Sequence, residues 1–542
     1  MFIYFHGYRP EIWKGYEKVG WVNENAGVRF IQHIALPSAM KFNSLAAKGS
    51  VLYGMIKSER LPFYIDRAQG GTFIDANYEF DKNLLREYDE MLGKNFLGFQ
   101  LHEWASNLYS DIARILECSP EKWTAREIER AVRKKHVYEF LNLESNTAEE
   151  FEKYGKIDGS QRFFEVADAM YRNRAARYGK VLPCDSIFLA CKYELDHGAE
   201  NLMLEIGAQT PDTRIQIAYA TGMSKSRGTR FGVYYEPWGG EPFSTCCYQT
   251  EKINEWGMGN GEMPFSENGV NGGSSRSLQK RIQLYAYFAG AEFISEEWGV
   301  CNAFYDWHDF GLSPYGRIKS EILRIIEKYQ DRGNRIAPIA AVLPDDMFLL
   351  TEYYYDYSGS PLSEYERDPK VRCIKAELYK IFAKAYAMAG DPMEIKALKN
   401  SPVPDAIDIV HESEVHALGK YEYLIDLTEY KRLKNKYKNV CDADRTEELL
   451  KNLLPCTVEG EAHWFVNKKT NGGYYFIAFN HSGIFRNGTD GERAIKSEEK
   501  QLFLRLKSAD ARLKRKEGGT CIPYKDGYKI TIPSGEWFLG EF

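Results

Sequence analysis

Four stretches of the chain end an apolar run on an acid, and three of them set a Trp within two residues of a Glu. They are Phe99-Gln-Leu-His-Glu-Trp-Ala-Ser-Asn, Leu204-Glu205, Val233-Tyr-Tyr-Glu-Pro-Trp-Gly-Gly and Phe293-Ile-Ser-Glu-Glu-Trp-Gly. A pair of such acids can cleave a glycosidic bond. One carboxyl, protonated, releases the leaving oxygen, while the other, ionised, attacks the sugar or activates water. A Trp beside them supplies an apolar wall for a sugar ring and can raise the pKa of the acid. The candidate catalytic residues are Glu103, Glu236 and Glu297. Candidate substrate contacts are His102, Glu205, Tyr235, Trp238, Glu296, Trp298 and Trp307, with His33 late in an earlier apolar run and the pair Asp66-Arg67 ending another. Each has a structural alternative: a strand-end Glu caps a helix or pairs with an arginine, His102 packs beside Trp104, and Asp66 and Arg67 brace neighbouring loops.

Such residues act together only if strands bring their ends to one place. To about residue 335, short apolar runs alternate with longer amphipathic ones, the pattern of a parallel sheet. The expected strands are Phe2–Tyr8, Val28–Leu36, Pro62–Asp66, Phe96–His102, Ser186–Lys192, Asn201–Ile206, Arg230–Tyr235 and Ala291–Ser295, enough to close a (β/α)8 barrel. Expected helices include Asp81–Met91, Arg214–Met223 and Leu278–Ala289. Residues 104–185 read as a helical excursion and the Gly, Ser and Asn rich stretch 257–277 as a mobile loop, both suited to narrowing the barrel mouth. In such a barrel the strands' C-terminal ends carry the chemistry. The layout expected is an α/β chain: a TIM barrel over 1–335, a small flavodoxin-like α/β domain over 336–456, and an antiparallel β domain over 457–542, where Asn-Gly and Asp-Gly turns punctuate short strands.

Composition narrows the partners. The formal net charge of -6 on 542 residues offers no basic footprint for nucleic acid, and no apolar run reaches the roughly 20 residues that span a bilayer. Residues 1–9 lack the pattern of a secretory signal, so the chain is expected to be cytoplasmic. Ten cysteines without a Cys-x-x-Cys pair point to reduced thiols and to no metal site. Aromatic residues at 14% suit stacking against sugars. Gly257-Met-Gly-Asn-Gly lacks the flanking strand and helix of a dinucleotide loop, and Arg512-Leu-Lys-Arg-Lys reads as a solvated face.

With Glu103 ending the fourth expected strand and Glu236 the seventh, the sequence resembles the clan of barrel glycoside hydrolases whose acid/base and nucleophile glutamates end those strands. In layout it is similar to glycoside hydrolase family 42. The run Gln279–Gly299, with Tyr285-Ala-Tyr-Phe-Ala-Gly-Ala-Glu, resembles that family's last barrel helix and strand; Gly333-Asn-Arg-Ile-Ala-Pro-Ile-Ala-Ala-Val-Leu-Pro resembles the lead-in to its second domain. The resemblance implies a retaining mechanism with Glu103 as acid/base and Glu236 as nucleophile, with Glu297 or Glu296 as the alternative nucleophile. It departs from the clan at His102, where an Asn usually precedes the acid/base. The expected activity is exo-cleavage of an oligosaccharide or glycoconjugate without metal or organic cofactor, and self-association is reasonable. The alternatives are a noncatalytic carbohydrate-binding barrel, motivated by His102, and a transferring or isomerising barrel enzyme.

Overall fold

A computed structural model of the chain contains a closed barrel of eight strands. The structure describes residues 2–30, 38–66, 80–102, 179–185, 189, 191–207, 213–236, 275–297, 303–347, 368–382, 403–487 and 491–542, with isolated positions between 162 and 176. Most of the expected 104–185 excursion and the 257–277 loop lie outside the described residues. The barrel strands are β1 (Ile3–Gly7), β2 (Ala26–Phe30), β3 (Phe63–Ile65), β4 (Phe96–His102), β5 (Val181–Asp185), β6 (Asn201–Gly207), β7 (Arg230–Glu236) and β8 (Phe293–Glu296). Each pairs in parallel with the next, and β1 pairs with β8.

One strand differs from expectation. The fifth is Val181–Asp185, whereas Cys191–Asp196, overlapping the expected strand Ser186–Lys192, is helical. Pro183 disguises β5, since proline lacks the N–H that a central strand normally donates. The strand instead earns its place by burial, with Leu182 and Cys184 filling the barrel interior. The number of strands is unchanged, so those ending at His102 and Glu236 remain the fourth and seventh.

Strand alternation sorts the side chains into two layers. Ile3, Phe5, Tyr64, Leu97, Leu182, Cys184, Met203, Tyr234 and Phe293 form a core inside the barrel, while Tyr4, Phe63, Leu204, Tyr235 and Ile294 join the larger core between strands and helices. The interior is packed to the limit at two glycines. A Cβ on Gly27 would stand 2.6 Å from the Phe5 ring, and one on Gly232 would stand 2.0 Å from the Phe293 ring.

Around the strands run α1 (Pro10–Lys18), α2 (Ser38–Leu45), α3 (Val51–Glu59), α4 (Lys82–Leu92), α5 (Cys191–Asp196), α6 (Thr213–Arg227), α7 (Arg276–Ala289) and α8 (Pro314–Lys328). Their starts follow capping chemistry: Ser275 Oγ accepts from the Leu278 N–H and Ser313 Oγ from the Gly316 N–H, ahead of Pro314 at the first helical turn. α8 keeps one face exposed, but α6 and α7 are buried almost all round. The remainder of the chain explains why.

After β9 (Asn334–Arg335), strands β10 (Ile339–Leu343), β11 (Ile407–His411), β12 (Tyr423–Asp426) and β13 (Val440–Cys441) form a parallel sheet in the order β11-β10-β12-β13. The outer side of α6 lies against it. A Cβ on Gly222 would be 2.1 Å from the Ile409 carbonyl oxygen, so only a glycine admits this approach. The C-terminal residues form antiparallel sheets. One orders β14 (Cys456–Glu459), β19 (Lys500–Leu506), β22 (Gly527–Ile532) and β21 (Thr520–Tyr524); another orders β20 (Lys514–Gly518), β23 (Trp537–Glu541), β16 (Tyr474–Phe479), β15 (His463–Lys468) and β9; β17 (Ile484–Asn487) pairs with β18 (Gly491–Ala494). The second covers α7, where Tyr285 meets His463 at 4.8 Å between ring centroids and Asn467 Nδ2 donates to the Phe288 carbonyl at 2.7 Å. Among the described residues no helix is long and apolar enough to cross a membrane.

Candidate functional site at the barrel mouth

Charged side chains gather on the inner register at the C-terminal ends of the strands. Arg29, one residue before the end of β2, shares the inner face with Gly27 and is 1% exposed. Its Nη1 donates to the Tyr234 hydroxyl of β7 at 2.8 Å, its Nη2 donates to the Glu297 carbonyl just past β8 at 2.8 Å, and Asp66 Oδ2 just past β3 lies 3.6 Å from Nη1. Burial by itself works against the Arg29 charge, but Tyr234 and Asp66 more than offset it and hold the guanidinium above its ordinary pKa. One fixed cation therefore ties together three strand ends on opposite sides of the barrel.

A second group forms beside it. His102 at the end of β4 directs Nε2 to Glu205 Oε1 of β6 at 3.3 Å, and its Nδ1 lies 3.8 Å from Cys184 Sγ of β5. Its ring meets Tyr234 edge to face at 5.2 Å, which joins the two groups into one polar floor. His102 and Glu205 are both buried. The Tyr64 hydroxyl closes the floor by donating to Ser295 Oγ at 2.8 Å; burial first, and Asp66 with it, keeps that phenol protonated well above its ordinary range.

Glu296 and Glu297 part company at the barrel wall. Phe293 and Ser295 face inward, so alternation turns Glu296 outward, toward the helices. There Lys319 Nζ of α8 binds Oε2 at 2.8 Å and Gln283 Nε2 of α7 donates to Oε1 at 2.7 Å. Burial would raise the Glu296 pKa, but Lys319, Tyr4 and Gln283 outweigh it and hold the carboxyl below the usual range. Lys319 sits over Tyr4 at 4.6 Å and Trp21 at 4.9 Å, a cage that keeps the ammonium in contact with π-faces and the carboxylate at once. Glu297 lies on the inner register and is partly exposed; its N–H donates to the Tyr235 carbonyl at 2.9 Å, continuing the ladder beyond β8.

The structure thus brings together Asp66, His102, Glu205 and the backbone of Glu297, and it ends β7 on Glu236, whose backbone alone is described. Glu103, Arg67, His33, Trp238 and Trp298 lie outside the described residues. Tyr235 faces the helices and is fully buried. Trp307 is 39% exposed under the Arg9 guanidinium, on a segment that also reaches α1 through Lys18 and Phe310. Sequence reading had not singled out Arg29, Tyr64, Cys184, Tyr234 or Ser295. For Arg29 a signal existed: a lone charge inside the apolar run Ala26–Phe30, two residues after an inward glycine.

Chemically, the described residues of the mouth offer several carboxylates and a permanent cation in Arg29, an arrangement that can bind a polyhydroxylated ligand. Among the described residues no cluster of His, Cys, Asp and Glu is arranged to hold a metal ion. No protein-family model matches the chain, and no curated protein matches it.

Proposed function

We propose that this chain is a retaining, exo-acting glycoside hydrolase in which Glu103 is the general acid/base and Glu236 the nucleophile, with a layout like that of glycoside hydrolase family 42. The observation that carries the reading is the strand order: in a closed parallel barrel, the fourth strand runs into His102-Glu103 and the seventh ends on Glu236. Those ends lie on the face where barrels do their chemistry. In the reaction, Glu236 attacks the anomeric carbon as Glu103 protonates the departing oxygen; Glu103 then deprotonates the water that releases the sugar from Glu236. Arg29, fixed between Asp66, Tyr234 and the Glu297 carbonyl, supplies a fixed positive charge at the same strand ends. The carboxyl pair supplies the proton and the bond, so no cofactor enters these steps. The substrate is an oligosaccharide or glycoconjugate taken from its end, inside the cell.

The test is turnover of nitrophenyl glycosides in both anomeric forms by the wild-type chain and by Glu103→Gln, Glu236→Gln and Glu297→Gln. Loss of at least ~100-fold in the first two, with Glu297→Gln largely active, supports the assignment. Activity that survives Glu236→Gln but not Glu297→Gln moves the nucleophile to β8's end, and mid-chain products from a polymer sink the exo assignment. A second reading, a noncatalytic carbohydrate-binding barrel, draws on His102, whose two ring nitrogens face Glu205 and Cys184. It predicts sugar binding by calorimetry with no cleavage.

A further inference from the structure

Two helices outside the barrel each send an amide to a strand that carries a mouth acid. On α6, Gln216 Nε2 donates to the Glu205 carbonyl of β6 at 2.8 Å. On α7, Gln283 Nε2 donates to Glu296 Oε1 of β8 at 2.7 Å, one residue before Glu297. Both helices are held from behind by the same carboxylate. Asp405, in the tight turn Val403–Ala406 that leads into β11, receives Arg214 of α6 on Oδ2 and the Tyr285 hydroxyl of α7 on Oδ1 at 2.7 Å. His463 of β15 adds a third contact, Nε2 to Oδ2 at 2.8 Å. Arg214 and Gln216 lie within one turn of α6, as do Gln283 and Tyr285 on α7, so displacement of either helix end moves an amide together with its strand.

The surroundings make Asp405 a rigid fixture. It is fully buried, Arg335 of β9 binds its carbonyl, and Arg214 and His463 outweigh burial to keep the carboxyl ionised below the usual range. A buried carboxylate contacted from three elements is held in one place, and loss of its charge would remove the carboxylate that Arg214 pairs with.

We propose that Asp405 is a positioning residue for the barrel mouth, acting through Arg214 and Gln216 on the strand of Glu205 and through Tyr285 and Gln283 on the strand end of Glu297. The parallel sheet after the barrel then serves the site rather than merely following it. Calling those acids parts of a glycosidase site rests on the function proposed above; the mechanical linkage does not.

The experiment is amide hydrogen exchange on the full-length chain, wild type against Asp405→Asn and Gln216→Met, with kcat and KM for any glycoside the wild type cleaves. For Asp405→Asn, protection in 201–207 and 293–297 is expected to fall about tenfold more than in β2 and β3. For Gln216→Met the excess loss is confined to β6, and this variant decides the matter if Asp405→Asn does not fold. With a cleaved substrate, kcat falls in both while KM holds. Exchange that rises equally in all barrel strands, or rises only in 403–411, overturns the proposal, as does unchanged protection of β6 in Gln216→Met. Absence of turnover in the wild type counts against the glycosidase reading and leaves the exchange result to be judged by itself.

Discussion

Glu296 and Glu297 are consecutive in sequence, and β8 sends them to opposite sides of the barrel wall. The outer acid is buried and fully answered: Lys319 takes one oxygen, Gln283 and Gln279 the other, and aromatic faces enclose the ammonium. The inner acid is partly exposed, and its backbone reaches Arg29 through the carbonyl and Tyr235 through the N–H. The same contrast runs round the whole barrel. Outside, Asp405 and Asp408 each collect several donors from α6, α7 and β9, as structural charges must when water is excluded. Inside, one arginine is divided among three strand ends, and a histidine meets a glutamate. A wall built this way resists movement, whereas the mouth spreads its charges over several strand ends and leaves Glu297 partly exposed. Stability should therefore be lost chiefly by changes to the wall, and ligand response chiefly by changes to the mouth.

The largest expected effect separates the two neighbours. Either Lys319→Met or Glu296→Gln leaves a buried charge without its partner and should lower unfolding free energy by about 3–5 kcal/mol, while Glu297→Gln should cost below about 0.5 kcal/mol. Urea unfolding measures both, and similar losses at the two positions would erase the contrast. Next in size is acid sensitivity of the wall. Burial, with Arg214 adding to it, lowers His463 to about 4, and burial, with Lys192, lowers His411 to about 4. Since both sit below the ordinary value near 6.5, the unfolded chain binds the extra protons in that window. Their contribution is complete above about pH 6.5 and is lost as pH falls toward 4, by roughly 3 kcal/mol for each. A His463→Gln chain should show a flatter midpoint between pH 6.5 and 4; an unchanged slope would remove His463 from the account. Smaller again is Gly222→Ala, which drives a methyl into the Ile409 carbonyl and should cost about 1–3 kcal/mol by parting α6 from β11. A neutral result would mean that this junction is compliant.

What the sequence made legible follows the same division. An apolar run stopped by an acid marks a strand and its C-terminal end together, so β4, β7 and β8 were readable. β5 was not, because Pro183 argues locally against a strand and only pairing with β4 and β6 on both sides overrides it. The facing of Glu296 and Glu297 was also hidden, because a shift of one residue exchanges the two sides. α6 and α7 could be seen as helices, yet their burial all round depends on sheets that arrive more than a hundred residues later. Arg29 was missed for a related reason. Its partners Asp66, Tyr234 and Glu297 come from three other strand ends, and only closure of the barrel brings them to one guanidinium.

The smallest effect probes the mouth itself. Tyr64→Phe removes one hydroxyl from the floor and leaves Ser295 Oγ without its 2.8 Å donor. On the wall, loss of one partner strands an ion. Here it strands a neutral hydroxyl that can rotate toward another acceptor or a water, and the ring remains packed against Phe5 at 4.9 Å. The expected cost is therefore that of one neutral hydrogen bond, about 1 kcal/mol, read as a lower urea midpoint with an unchanged slope. If the slope also changes, the interior has loosened as a unit. If the cost exceeds about 3 kcal/mol, the floor is as tightly determined as the Glu296–Lys319 pair, and the contrast between mouth and wall is lost.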